Sequence, residues 1–121
     1  MAVAESQEIH SDLIPKIATG FCSGVARTSG QCGALNGGIL SLGLINGREE
    51  PGGSVDEVYA QVQELVQQFE EALGSTNCQV LTGCHLDTPE GQVNFRETGQ
   101  LNLCLTYVET VTRKVLDLIG R

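Results

Sequence analysis

The stretch Gly20–Arg48 reads GFCSGVARTSGQCGALNGGILSLGLINGR. It carries two of the five cysteines and eight of the fifteen glycines of the 121-residue chain. At its heart stands Cys32-Gly33-Ala34-Leu35-Asn36-Gly37, with Gly38 following. By propensity alone, a run so rich in small residues is poor helix material. It makes sense where another helix or a ligand must approach the backbone closely. A helix is expected from about Gln31, with Ser29 as its N-cap and Cys32 in its first turn. There the positive helix end favours a thiolate. On this helix Gly33, Gly37 and Ser41 share a small face, with Ala34 and Gly38 beside it. Leu35, Ile39, Leu42 and Ile45 supply the bulk.

Outward from this stretch the pattern is helical. Towards the N-terminus, Ile9, Leu13, Ile14 and Ile17 recur at helical spacing over Glu8–Ala18. Pro15 kinks that helix or marks its first turn, and the segment is expected to dock on the core. Gly20–Gly30 reads as a loop, and REEPGG at Arg48–Gly53 as a turn. Ser54 with Glu57 makes a capping box, followed by an apolar stripe from Val55 to Leu73, a glutamine- and glutamate-rich opposite face, and Gly74 at the C′ position. Thr76 or Asn77 caps a short helical turn bearing Cys78, with Leu81 inward and Gly83 ending it. Asp87–Gln100 is expected to be a loop with at most a helical turn. Leu101–Ile119 is a final amphipathic helix that sets Cys104 on its inner face. The expectation is an all-α fold: a compact bundle of four to five helices in a single domain spanning residues 1–121, with the Cys-Gly-Ala-x-x-Gly helix near its centre.

Composition narrows the function. The net charge of −8, from seven basic and fifteen acidic residues, argues against a nucleic-acid partner and against an anionic membrane surface. The longest apolar run, Ile39–Ile45, falls far short of the ~20 residues that span a bilayer. The start, MAVAESQEIHSDLIPK, lacks a basic leader and an apolar core, so a cytoplasmic location is the default expectation. In that compartment five cysteines suggest catalytic, metal-binding or buried thiols rather than a disulfide framework.

The candidates are Cys22, Cys32, Cys78, Cys84 and Cys104. No C-x-x-C pair is present, which removes the thioredoxin-type motif and the paired zinc patterns. Cys78-x5-Cys84-His85 has only loose ligand spacing. A Cys-His-Asp hydrolase would draw on His85 and Asp87, but sequence neighbours seldom form such a triad. The glycines match no nucleotide-binding fingerprint. His10, alone near the terminus, reads as a solvated surface group. Cysteine on an apolar stripe is usually a small buried hydrophobe, which weighs most heavily for Cys104.

Gly30-Gln31-Cys32-Gly33-Ala34-Leu35-Asn36-Gly37-Gly38 with Leu42-Gly43-Leu44, then Phe69-Glu70-Glu71-Ala72-Leu73-Gly74 with Cys78 and Leu81, then Cys104 with Tyr107-Val108, resemble the C_GCAxxG_C_C family of putative redox-active proteins. The resemblance covers about Gly20 to Val115. It implies a helical fold with recurring cysteines that act in redox chemistry or metal binding, and it assigns Cys32, Cys78 and Cys104 as the family cysteines. The family usually carries a further cysteine in an N-terminal helix. This chain has none before Cys22, so either Cys22 substitutes for it or the site is reduced. Cys84 is additional.

Three functions follow. In the first, a thiol redox protein uses Cys32 as attacking thiolate and Cys78 or Cys104 as resolving thiol, with Cys84 in reserve and a redox partner protein. In the second, a metal or iron–sulfur module is built on Cys32, Cys78, Cys104 and Cys84 or His85. In the third, the cysteines only pack, and the small-residue face serves a helix–helix or partner contact. A homo-oligomer fits a small helical domain.

Overall fold

The computed structural model describes residues 1–120 and is all-α. Seven right-handed helices follow one another: α1 (Ala2–Ser6), α2 (Leu13–Ala18), α3 (Gly33–Asn46), α4 (Asp56–Leu73), α5 (Cys78–Thr82), α6 (Pro89–Glu97) and α7 (Gln100–Ile119). The two beyond the expected four to five are α1 and α6, both short. The three long helices, α3, α4 and α7, pack pairwise. Leu65 and Phe69 of α4, Leu35 and Leu42 of α3, and Val111, Val115 and Leu118 of α7 form their shared core. The spacings are the i, i+4 and i+7 steps of a helix face. Phe69 and Tyr107 meet edge to face with ring centroids 6.4 Å apart, a favourable aromatic geometry. No helix among the described residues is long and apolar enough to cross a membrane.

Close approach of the three helices depends on Gly38. A Cβ at this position would run into Val111 Cγ1 and lie 3.0 Å from Leu65 Cδ2 and 3.4 Å from Val115 Cγ2. Gly37, expected on the contact face, has nothing within 4 Å of its would-be Cβ. The packed glycine is therefore the next residue along.

Several helix ends differ from expectation for local reasons. Ser29 has φ of 60° and caps nothing. Cys32 is itself the N-cap of α3, and its carbonyl accepts the first helical bond from Asn36 N at 3.0 Å. Ser54 Oγ accepts from Asp56 N at 3.4 Å, so no capping box forms with Glu57; α4 instead begins with Asp56 and Glu57 in its first turn. Gly74 and Gly83 end α4 and α5 in left-handed conformations, as expected.

Glu8–Ala18 does not dock on the core. Pro15 falls in the first turn of α2, which buries no residue and leaves Leu13 and Ile17 exposed. Val3 and Ala4 of α1 dock instead, against α7 and α3. The Asp87–Gln100 loop is a nine-residue helix, α6. Thr88 Oγ1 accepts from Gly91 N at 3.0 Å and Pro89 opens the first turn, a start that proline favours.

The expected loop between Gly20 and Gly30 is more tightly built than a loop. After a short 3-10 turn (Thr19–Phe21), Cys22–Arg27 coils with the opposite hand, with φ from 53° to 66° over Ser23–Arg27. Left-handed backbone costs roughly 1–2 kcal/mol at each non-glycine residue. The surroundings hold it in place: Gly30 N donates to Gly24 O at 2.9 Å, Asn36 Nδ2 donates to Phe21 O at 3.0 Å, and Asn77 Nδ2 donates to Ser29 O at 2.7 Å.

Candidate functional site

Two chain segments far apart in sequence meet beside the start of α3. Cys32 N donates to Thr76 O at 2.8 Å and Cys78 N donates to Gly30 O at 2.9 Å. These two bonds make an isolated antiparallel bridge between Gln31 and Asn77. Side chains alternate across such a pairing, so Cys32 and Cys78 fall on the face opposite Gln31 and Asn77. They are diagonal neighbours, for which Cα separations run roughly 7–8 Å. That lies just outside the usual disulfide range, which ends near ~6.8 Å. Asn77 does double duty here. Its Oδ1 accepts from Val80 N at 3.1 Å, capping α5, while its Nδ2 ties down Ser29.

Glycines set the remaining approach. A Cβ on buried Gly24, which has φ of 66°, would lie 2.6 Å from Cys78 Cβ and 3.0 Å from Cys78 Sγ. Only glycine adopts this conformation without strain and leaves room for the thiol. A Cβ on Gly33 would lie 3.2 Å from Cys22 Cα, so Gly33 seats the left-handed turn on α3. Cys32 is 6% exposed, and its access is from one side.

That side is a cavity of about 480 Å³. Cys22, Cys32, Cys78 and Cys104 all line it, one from the left-handed turn and one each from the starts of α3, α5 and α7. Its walls are otherwise mostly apolar, with Ala34, Leu81, Leu86, Phe95, Leu101, Leu105, Tyr107 and Val108. Cys84 lies outside this lining, 2% exposed, packed with Cys78, Leu86 and Phe95. Asn94 Nδ2 donates to its sulfur at 3.6 Å. His85 and Asp87 are exposed, and His85 lines a second cavity with Thr88 and Asn94. Among the described residues, neither His85 nor Asp87 lines the thiol cavity. Among the described residues no three His, Cys, Asp or Glu side chains gather into a group that would hold a metal ion.

All five cysteines are free. Burial pushes the Cys78 thiol up, and nearby Cys32 and Cys84 push it further. Cys104 is pushed up to about 11, first by burial, then by Cys32, Cys78 and Cys84. The Tyr107 hydroxyl also moves up through burial and the neighbouring Cys104 and Cys32. The raised Cys104 thiol makes folding stability depend on pH. Below pH 9 the thiol is protonated both folded and unfolded, and its contribution to stability is fully present. Between pH 9 and about 11 the unfolded chain ionises while the folded one holds its proton, so stability falls as pH rises. A thiol shifted this far carries about a hundredfold less thiolate at pH 8 than an ordinary one. Iodoacetamide at pH 8 is therefore expected to modify Cys104 at least tenfold more slowly in the folded protein than in urea, as read by peptide mass spectrometry. Equal rates would contradict the shift.

Sequence reasoning missed Gly24 and Asn36. Asn36 is buried, accepts from Gln31 Nε2 at 2.7 Å and donates to Phe21 O and Gln31 O. Its one signal was its place as a polar residue inside an apolar, glycine-rich helix.

The model of the family described as "Putative redox-active protein (C_GCAxxG_C_C)" matches residues 1–118. No curated protein and no solved structure matches the chain.

Proposed function

Because the chain belongs to the C_GCAxxG_C_C family, we propose that it is a thiol redox protein working by disulfide exchange, with Cys32 and Cys78 as the exchanging pair. The observation that carries this reading is the single cavity lined by four cysteines from separate parts of the chain. Cys22 on the same wall fits a substitute for the thiol that the family keeps in its N-terminal helix.

In the forward direction the Cys32 thiolate attacks one sulfur of an oxidised disulfide. A mixed disulfide forms at Cys32, the partner's sulfur–sulfur bond breaks, and the first partner thiolate leaves. Cys78 then loses its proton and attacks Cys32 Sγ. The second partner thiolate leaves, the partner has gained two electrons, and Cys32 and Cys78 are joined. A dithiol reductant returns the pair to the reduced state. Burial, and then nearby Cys32 and Cys84, hold the Cys78 thiol protonated, which suits it to act second, as the resolving thiol.

The test is oxidation of the reduced protein with bis(2-hydroxyethyl) disulfide, a neutral reagent, followed by peptide mapping without reductant. The expected product links Cys32 to Cys78, and in Cys78→Ser the mixed disulfide on Cys32 accumulates. A product that omits either cysteine, or five thiols left unchanged, would overturn the pairing.

A further inference from the structure

The charge lining the thiol cavity is opposite in sign to that of the chain. The molecule carries fifteen acidic residues against seven basic, yet no Asp or Glu lines this cavity, whereas Arg27 and Arg96 both do. Among the described residues neither guanidinium has an ion-pair partner. Arg27 projects from the end of the left-handed turn and Arg96 from the last turn of α6. Two elements that share no sequence thus each bring a cation to the same opening. Between them lie apolar walls with the aromatic ring of Phe95. The volume of about 480 Å³ falls within the range of small-molecule sites, roughly 300–1,000 Å³.

From this arrangement we infer that the cavity selects a small disulfide with an apolar body and carboxylate groups, held by Arg27 and Arg96 and exchanged at Cys32. The inference rests on the thiol reading above and adds the substrate class to it. An acidic protein repels anions at long range, so preference for an anionic reagent must come from local cations. Arginine suits the task because its planar fork matches a carboxylate. The chemistry balances as before: the ligand's sulfur–sulfur bond is reduced to two thiolates, and the Cys32–Cys78 pair is oxidised by the same two electrons.

The experiment compares 5,5′-dithiobis(2-nitrobenzoate), which carries two carboxylates, with neutral 2,2′-dithiodipyridine. Each rate with the reduced protein is divided by the rate with a neutral reference thiol, N-acetylcysteine amide, at the same pH and salt. The expected selectivity favours the carboxylated reagent, and Arg27→Gln with Arg96→Gln lowers it by roughly tenfold, the equivalent of two partly screened charge pairs. The rate with the neutral reagent stays within about twofold, since exposed charges matter little to an uncharged ligand. Raising the salt on the wild-type protein lowers the selectivity in the same direction, and this arm requires no variant to fold. A wild-type selectivity at or below one, or one indifferent to both arginines and to salt, would overturn the inference. If the neutral reagent also yields no Cys32–Cys78 disulfide, the thiol reading itself fails, and peptide mapping separates the two results.

Discussion

Replacing Cys32 with serine is expected to slow oxidation by bis(2-hydroxyethyl) disulfide by at least ~100-fold, because a hydroxyl without an adjacent base is a poor nucleophile. The other cavity thiols are poorly placed to compensate. Cys104 is held protonated to about pH 11, and Cys78 is raised by burial. Thiolate, not thiol, is the attacking species, so both are mostly silent at neutral pH. Cys22 is exposed and lines the same cavity, so its own modification is scored separately by peptide mapping. A serine hydroxyl at the buried Cys32 position carries a desolvation cost of about 1–3 kcal/mol, so Cys32→Ala serves as the matched control. Stopped-flow thiol oxidation with both variants decides the matter. A wild-type rate in either would sink the assignment of Cys32, and the packing interpretation would take its place.

A large effect on stability is expected at Gly38, where the three long helices meet. Gly38→Ala places a methyl group against Val111 Cγ1 and beside Leu65 and Val115, all on helices that cannot shift singly. Overpacking of this kind costs about 1–3 kcal/mol, a fall of about 5–15 °C in Tm for a domain of this size. The neighbouring Gly37→Ala is expected to do the opposite. Its Cβ has nothing within 4 Å, and removing a helical glycine gains about 0.5–1 kcal/mol. Thermal unfolding followed by circular dichroism reads both. Equal shifts of the same sign would show that the three-helix contact at Gly38 is looser than described.

Much of this fold was legible because the long helices advertise themselves. The Val55–Leu73 stripe and the Leu101–Ile119 face have unbroken helical period, and Gly74 and Gly83 end their helices as the turn chemistry dictates. The failures are equally physical. Pro89–Glu97 has only Val93 and Phe95 to form a stripe, too few for periodicity to reveal a helix whose start is fixed by a threonine cap. Glu8–Ala18 has the period but no partner surface, so Leu13 and Ile17 stay exposed. At the site, local reading set Cys32 near a helix start and offered Thr76 or Asn77 as the cap beside Cys78, of which Asn77 is the one found. It could not find the bridge between Gln31 and Asn77, because pairing across that much chain leaves no local pattern. The left-handed turn was hidden for a related reason. Ser23, Val25 and Ala26 have no preference for positive φ, and the conformation is imposed by Asn36, Asn77 and the space beside Gly24.

The Gln31–Asn77 bridge also ties two equilibria together. Backbone bonds, not the thiols, bring Cys32 and Cys78 near one another, so folding sets their effective concentration. On the proposed pairing, a covalent link across the bridge would restrain the chain between them in the unfolded ensemble, and the oxidised protein would resist heat better than the reduced one. The same thermodynamic cycle run the other way makes the folded pair harder to reduce than the unfolded pair. Anything that loosens the two bonds at the bridge would then register as a change in redox poise before it registered as loss of structure.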